Sequence, residues 1–268
     1  MFVELRMPVV VSFLIALAGL VLLFSAVWLW QLRSKNAGMI DPIWAASLAL
    51  VALFIAVAGT GASINRLCVA AGGCVWGARL ALHLWRRNHG KPEDPRYHAF
   101  RERWGAAAAR NMFWFFQLQV LISILLALAF FVPAYSVEPA HPVAIAAAVV
   151  VWIIAVAGEA LADRQLKRFA ADPSHHGKVC RDGLWRYSRH PNYFFECVHW
   201  VAYAVLSIGL PWSWLTIAPP LLMAWLLIKV SGIPLLEARL AETRDGYRDY
   251  MRTTSVLVPW PPKPPVHS

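Results

Sequence analysis

Residues 183–196, GLWRYSRHPNYFFE, hold two arginines, a histidine, two tyrosines, an asparagine and a glutamate, directly before the apolar run CVHWVAYAVLSIGL. Arg181, Arg186 and Arg189 carry planar, permanently charged forks of the kind that hold phosphates. Tyr187 and Tyr193 can stack on a flat ring or hydrogen-bond to it. Asn192 and Glu196 are four residues apart and share one helix face. An asparagine amide both donates and accepts, which suits a carboxamide or a purine edge. Pro191 marks the start of a helix, and that N-terminus adds partial positive charge for an anion. His190 sits inside the cluster. A basic belt with aromatic anchors would account for the arginines and tyrosines, but not for Asn192 and Glu196.

Other polar groups fall where apolar residues are expected, and ionisable groups inside a span are costly and commonly face a cavity or a partner. Trp76, Arg79 and His83 lie at i, i+3 and i+7 on one face. Arg79 is near enough to a helix end to snorkel instead. Glu159 and Asp163 are four apart, either as counter-ions or as acceptors for ligand hydroxyls and amides. Asp41, in GMIDPIW, reads as a helix N-cap ahead of Pro42 or as a proton donor beside a tryptophan. Arg79 and His83 are the other candidate donors. The loop RRNHGKPEDPRYHAFRERWG brings Asn88, Lys91, Asp94, Arg96 and Tyr97 together, as ordinary basic-loop residues or as a site for an anionic ligand.

The elements that must position these groups are membrane helices. Of the 268 residues, 59% are hydrophobic and 15% charged, with 14 tryptophans, too apolar for an ordinary soluble domain. Seven spans are predicted, near 8–31, 41–63, 66–86, 111–133, 141–163, 193–209 and 213–232. Basic loops alternate with VPAYSVEPAH and IGLPWS, which hold no lysine or arginine, so the N-terminus is expected outside and the C-terminus in the cytoplasm. The net charge of +10 reflects that bias and not nucleic-acid binding. The expectation is one all-α, polytopic membrane domain over 1–268, ending in an interfacial helix and proline-rich tail over 235–268. The four cysteines form no CxxC pair and read as buried thiols, and no metal site is expected.

The block KVCRDGLWRYSRHPNYFFE resembles the steroid 5α-reductase-like membrane family, in particular its bacterial branch, whose members carry GLW-x-Y-(S/T)-RHPNYFGE. Further matching blocks follow in VWGARLALHLWRRNHGKPEDPRY, EALADRQLKRF and YRDYMRTTSVLVPW. The resemblance implies a seven-helix, multi-pass bacterial inner-membrane reductase that binds NADPH from the cytoplasmic side. It also implies hydride transfer to the β-carbon of a hydrophobic enone such as a 3-oxo-Δ4-steroid. Asn88 and its neighbours, Glu159, Asp163, Lys167, Asn192, Glu196 and the arginines and tyrosines of WRYSRHPNY would hold the cofactor. The sequence departs from that pattern twice. Phe195 replaces a glycine, and GGCVWGARL lacks the tyrosine that the family pairs with a glutamate of span two, so the proton donor does not carry over.

The isoprenylcysteine carboxyl methyltransferases also carry RHP-x-Y, with S-adenosylmethionine as cofactor. The number of arginines here, matched to phosphates that adenosylmethionine lacks, favours NADPH.

Overall fold

The structure, a computed structural model, describes residues 6–230 and 232–264. Among these residues the regular elements are helical: α1 (Val9–Ser34), α2 (Ile40–Ala58), α3 (Ser63–Asn88), α4 (Pro95–Trp104), α5 (Ala108–Leu126), α6 (Leu128–Tyr135), α7 (Pro142–Ala171), α8 (Pro191–Leu206), α9 (Ala218–Trp225), α10 (Ile233–Thr243) and α11 (Tyr247–Thr253). The all-helical, polytopic architecture expected from composition is therefore present. Among the described residues six stretches are long and apolar enough to cross a membrane: Val9–Ser34, Ile40–Ala58, Ser63–Asn88, Pro95–Tyr135, Pro142–Ala171 and Ser213–Thr243. The sequence predicts seven. The remaining segment is α8, whose 16 residues reach only about 24 Å, short of roughly 30 Å of hydrocarbon. It ends in a turn in which Gly209 takes a left-handed φ of +83° ahead of Pro211.

By contacts the chain divides into two compact units, Met1–Ala144 with Leu206–Pro219, and Ile145–Val205 with Pro220–Ser268. In the first, small residues set the closest approach. A Cβ on Gly73 would lie 2.3 Å from the Ala52 Cβ, and one on Gly77 would lie 2.8 Å from the Ala49 Cβ. Hydrocarbon gives helices little reason to associate, so this close backbone packing of α2 on α3 carries the contact. Arg66 closes the C-terminus of α2 by donating from Nε to the Ala56 carbonyl at 2.7 Å.

In the second unit, α7 and α8 run antiparallel. The Trp185 indole donates to the Ala162 carbonyl at 3.0 Å, and Leu184 N–H to Gln165 Oε1 at 3.0 Å. The Phe195 ring rests on Gly158 of α7, where a Cβ would lie 2.4 Å from it. The bulk that replaces the usual glycine at 195 is thus taken up by a glycine on the facing helix. Residues 235–268 were expected to form an interfacial helix and a proline-rich tail. They form α10 and α11 and then an extended strap over 254–264; residues 265–268 lie outside the described set. The strap is bonded in place: Arg189 N–H donates to Ser255 O at 2.8 Å, Ser188 Oγ to Leu257 O at 2.7 Å, and Trp260 N–H to Tyr187 O at 2.9 Å.

Candidate functional site

The predicted site residues fall into two groups, one in each unit. In the first unit, Asp41, Asn88, Asp94, Arg96 and Tyr97 form a single network. Asp94 caps α4 by accepting from Arg96 N–H, and it also accepts from Arg96 Nε at 3.0 Å. Burial pushes the Asp94 carboxyl up, but its hydrogen bonds with Arg96 and the charges of Arg96 and Arg87 outweigh that and hold it below its ordinary value. Arg96 Nη2 donates to Asp41 Oδ2 at 2.6 Å, and the Tyr97 hydroxyl donates to Asp41 Oδ1 at 2.6 Å. The Asn88 amide donates to the Gly38 carbonyl at 2.5 Å, and Asn36 donates to the Lys91 carbonyl at 3.2 Å. The network staples the α3–α4 loop to the α1–α2 loop.

This corrects two expectations. Asp41 is not an N-cap, because α2 begins at Ile40 behind Met39, and no side chain caps it. Asp41 lies in the first turn, and both its oxygens accept from Arg96 and Tyr97, so it is placed to hold those two groups. Arg96 has its Nε and Nη2 engaged by carboxylates and is not presented to an anion. Lys91 is exposed. Arg79 and His83 are half-buried on the α3 face that carries fully buried Trp76, as the spacing predicts.

The second unit holds the opening cluster, and here the three arginines differ. Arg189 is 9% exposed, and its side chain makes four hydrogen bonds: Nε and Nη2 to Glu237 at 2.6 and 3.1 Å, and Nη1 to the Met251 and Thr254 carbonyls at 2.9 and 2.6 Å. His190 Nε2 lies 2.9 Å from the same Glu237, and its ring stacks on Tyr193 at 5.4 Å. Arg189 and His190, expected at a cofactor, are thus turned inward as a lock between the 183–190 turn and α10. The reason is Glu237, a buried carboxylate that needs exactly such donors. Tyr250 adds to the lock by donating to the Trp185 and Ser188 carbonyls.

Arg181 is exposed and pairs with Asp249 at 3.1 Å, while Arg186 and Tyr187 are exposed, with no side-chain partner for Arg186 among the described residues. Arg181 and Arg186 line a cavity of about 370 Å³ together with Lys263 of the strap. Lys167 is exposed on α7. Deeper in, Asn192 Nδ2 donates to Asp163 Oδ1 at 3.4 Å. One turn further along both antiparallel helices lie Glu159 and Glu196, both buried. Glu196 Oε1 accepts from the Trp200 indole at 3.1 Å. The Asn192 Oδ1 is buried and accepts nothing among the described residues.

Sequence reasoning passed over Glu237 and the pair His199 and Tyr203. His199 and Trp200 are fully buried, and His199 meets the Tyr203 ring edge-on at 5.2 Å. With Glu196 they form a buried polar stripe at i, i+3 and i+7 along α8, a spacing already visible in ECVHWVAY. Glu237 had no such signal, since its meaning depends on where α10 returns.

A family model described as "Protein of unknown function (DUF1295)" matches residues 27–254. No curated protein and no solved structure matches the chain.

Proposed function

Because the chain belongs to the DUF1295 family, which is related to the steroid 5α-reductases, we propose that it is a membrane reductase that uses NADPH to reduce the carbon–carbon double bond of a hydrophobic enone. The observation that carries this reading is Asn192. Its amide nitrogen is spent on Asp163, and its buried carbonyl oxygen is left without a donor. A buried acceptor without a partner asks for one. The primary amide of a nicotinamide supplies an N–H of the right kind. The carboxylates of Glu159, Asp163 and Glu196 are acceptors for further ligand N–H and O–H groups, and exposed Lys167 is a cation for a phosphate.

Bound there, NADPH would supply a hydride to the β-carbon. The chain's own contribution is to orient the carboxamide through Asn192, to hold that residue on the rigid Arg189–Glu237–His190 frame, and to protonate the product. Arg79 and His83 of α3 are candidate donors by their chemistry alone, and a positioned donor is worth about 10²–10⁴-fold. Asp41 leaves that set because its oxygens are taken. A 3-oxo-Δ4-steroid serves as a test enone and stands for the hydrophobic class.

The test is NADPH-dependent loss of enone absorbance by protein purified in detergent. Asn192→Ala and Glu196→Ala should each lower it at least tenfold with the fold retained. Activity that survives both changes would put the site elsewhere. Tight S-adenosylmethionine binding without NADPH binding would replace the reductase by a methyltransferase.

A further inference from the structure

We propose that the cavity beneath the C-terminal strap binds the phosphate headgroup of an anionic phospholipid and fixes this end of the protein to a charged leaflet. The cavity, about 370 Å³, is lined by Arg181, Arg186 and Lys263, with Thr253, Thr254 and one acid, Asp249. Asp249 is already neutralised by Arg181. The side chains of Arg186 and Lys263 have no partner among the described residues, although the Lys263 backbone N–H is anchored on Thr253 O at 2.8 Å. Two uncommitted cations are therefore held in a concave site, which matches a phosphate.

The surroundings identify which phosphate. Trp260 is 69% exposed, Val258 57% and Tyr187 42%. The bond from Trp260 N–H to Tyr187 O, at 2.9 Å, puts the two aromatics on one stretch of surface beside the cavity. Exposed tryptophan and tyrosine flanking basic residues is the pattern of a headgroup boundary, where amphipathic rings and cations meet acyl chains and anionic lipid. A free phosphate shares the ionic chemistry but gives Trp260 and Val258 nothing to contact.

The test compares full-length protein in nanodiscs of phosphatidylcholine alone and with phosphatidylglycerol, with bound lipid counted by native mass spectrometry. Retained phosphatidylglycerol is expected. The Arg186→Ala/Lys263→Ala variant should lose preference by about fivefold per charge. Arg186→Lys/Lys263→Arg should keep it, with the unfolding midpoint in phosphatidylcholine unchanged in both. Quenching of Trp260 by brominated acyl chains should disappear in Trp260→Ser. Equal retention of both lipids by the unaltered protein would overturn the proposal. So would competitive displacement of phosphatidylglycerol by inorganic phosphate or by a 2′-phosphorylated nucleotide, which would assign the cavity to a soluble ligand. No turnover is measured, so failure here leaves the reductase reading standing, and the reverse holds.

Discussion

Arg186 and Arg189 are three residues apart and have opposite surroundings. Arg186 lines a cavity, whereas Arg189 is closed on Glu237 and two carbonyls. Removing one partner of a buried ion pair leaves the other charge unpaired and costs about 3–5 kcal/mol. Glu237→Ala should therefore lower unfolding free energy by about that amount in a denaturant titration, while Arg186→Ala should shift it by less than about 0.5 kcal/mol. If both substitutions were equally mild, the lock would be ornamental. The network around Asp41 adds a residue-scale expectation at Tyr97. Its hydroxyl is held on Asp41, so Tyr97→Phe should loosen the Arg96 network as Asp41→Asn does, with hydrogen exchange rising in 88–97 for both.

At the scale of elements, two helix pairs depend on glycine opposite a larger partner. Gly158→Ala would drive a methyl into the Phe195 ring, an overpacking cost of about 1–3 kcal/mol. Phe195→Ala removes the obstacle, so the double variant should be more stable than the sum of the singles predicts, with a coupling of at least about 1 kcal/mol. Additive singles would mean that α7 and α8 do not meet at that register. On α3, Gly73→Leu should separate α2 from α3 and abolish the folded state in detergent, since the Cβ alone already overlaps Ala52.

The whole molecule should lose stability at opposite ends of the pH scale for different reasons in its two units. Asp94 sits below its ordinary value of 3.8, so its contribution is complete above about pH 4 and is lost as pH falls through the lower folded value. Tyr247 and Tyr250 are raised above their ordinary 10.0. Burial is the main cause, joined by the Glu237 charge at Tyr247 and by Tyr247 at Tyr250. Their contribution is complete below about pH 10 and is lost above it as the phenols ionise. Hydrogen exchange should accordingly rise first around 88–97 in acid and around 185–190 and 247–257 in alkali. Asp94→Asn should flatten the acid limb alone.

Much of this was legible from residue order. The apolar runs located the helices, because a bilayer demands roughly 20 apolar residues per crossing, but not all of their ends: α2 stops at Ala58 and α7 runs on to Ala171. The i, i+3, i+7 stripe on α3 and the four-residue spacing of Asn192 and Glu196 also needed only helical geometry. Which charges face outward could not be read that way. Arg181, Arg186 and Arg189 are chemically alike, and only the return of α10 and the strap, about 50 to 80 residues later in the chain, decides that Glu237 consumes Arg189 and that Lys263 joins Arg186. Phe195 looked like excess bulk until Gly158 was found against it. Periodicity is a local property of the chain, whereas charge pairing and steric fit belong to surfaces that meet only after folding.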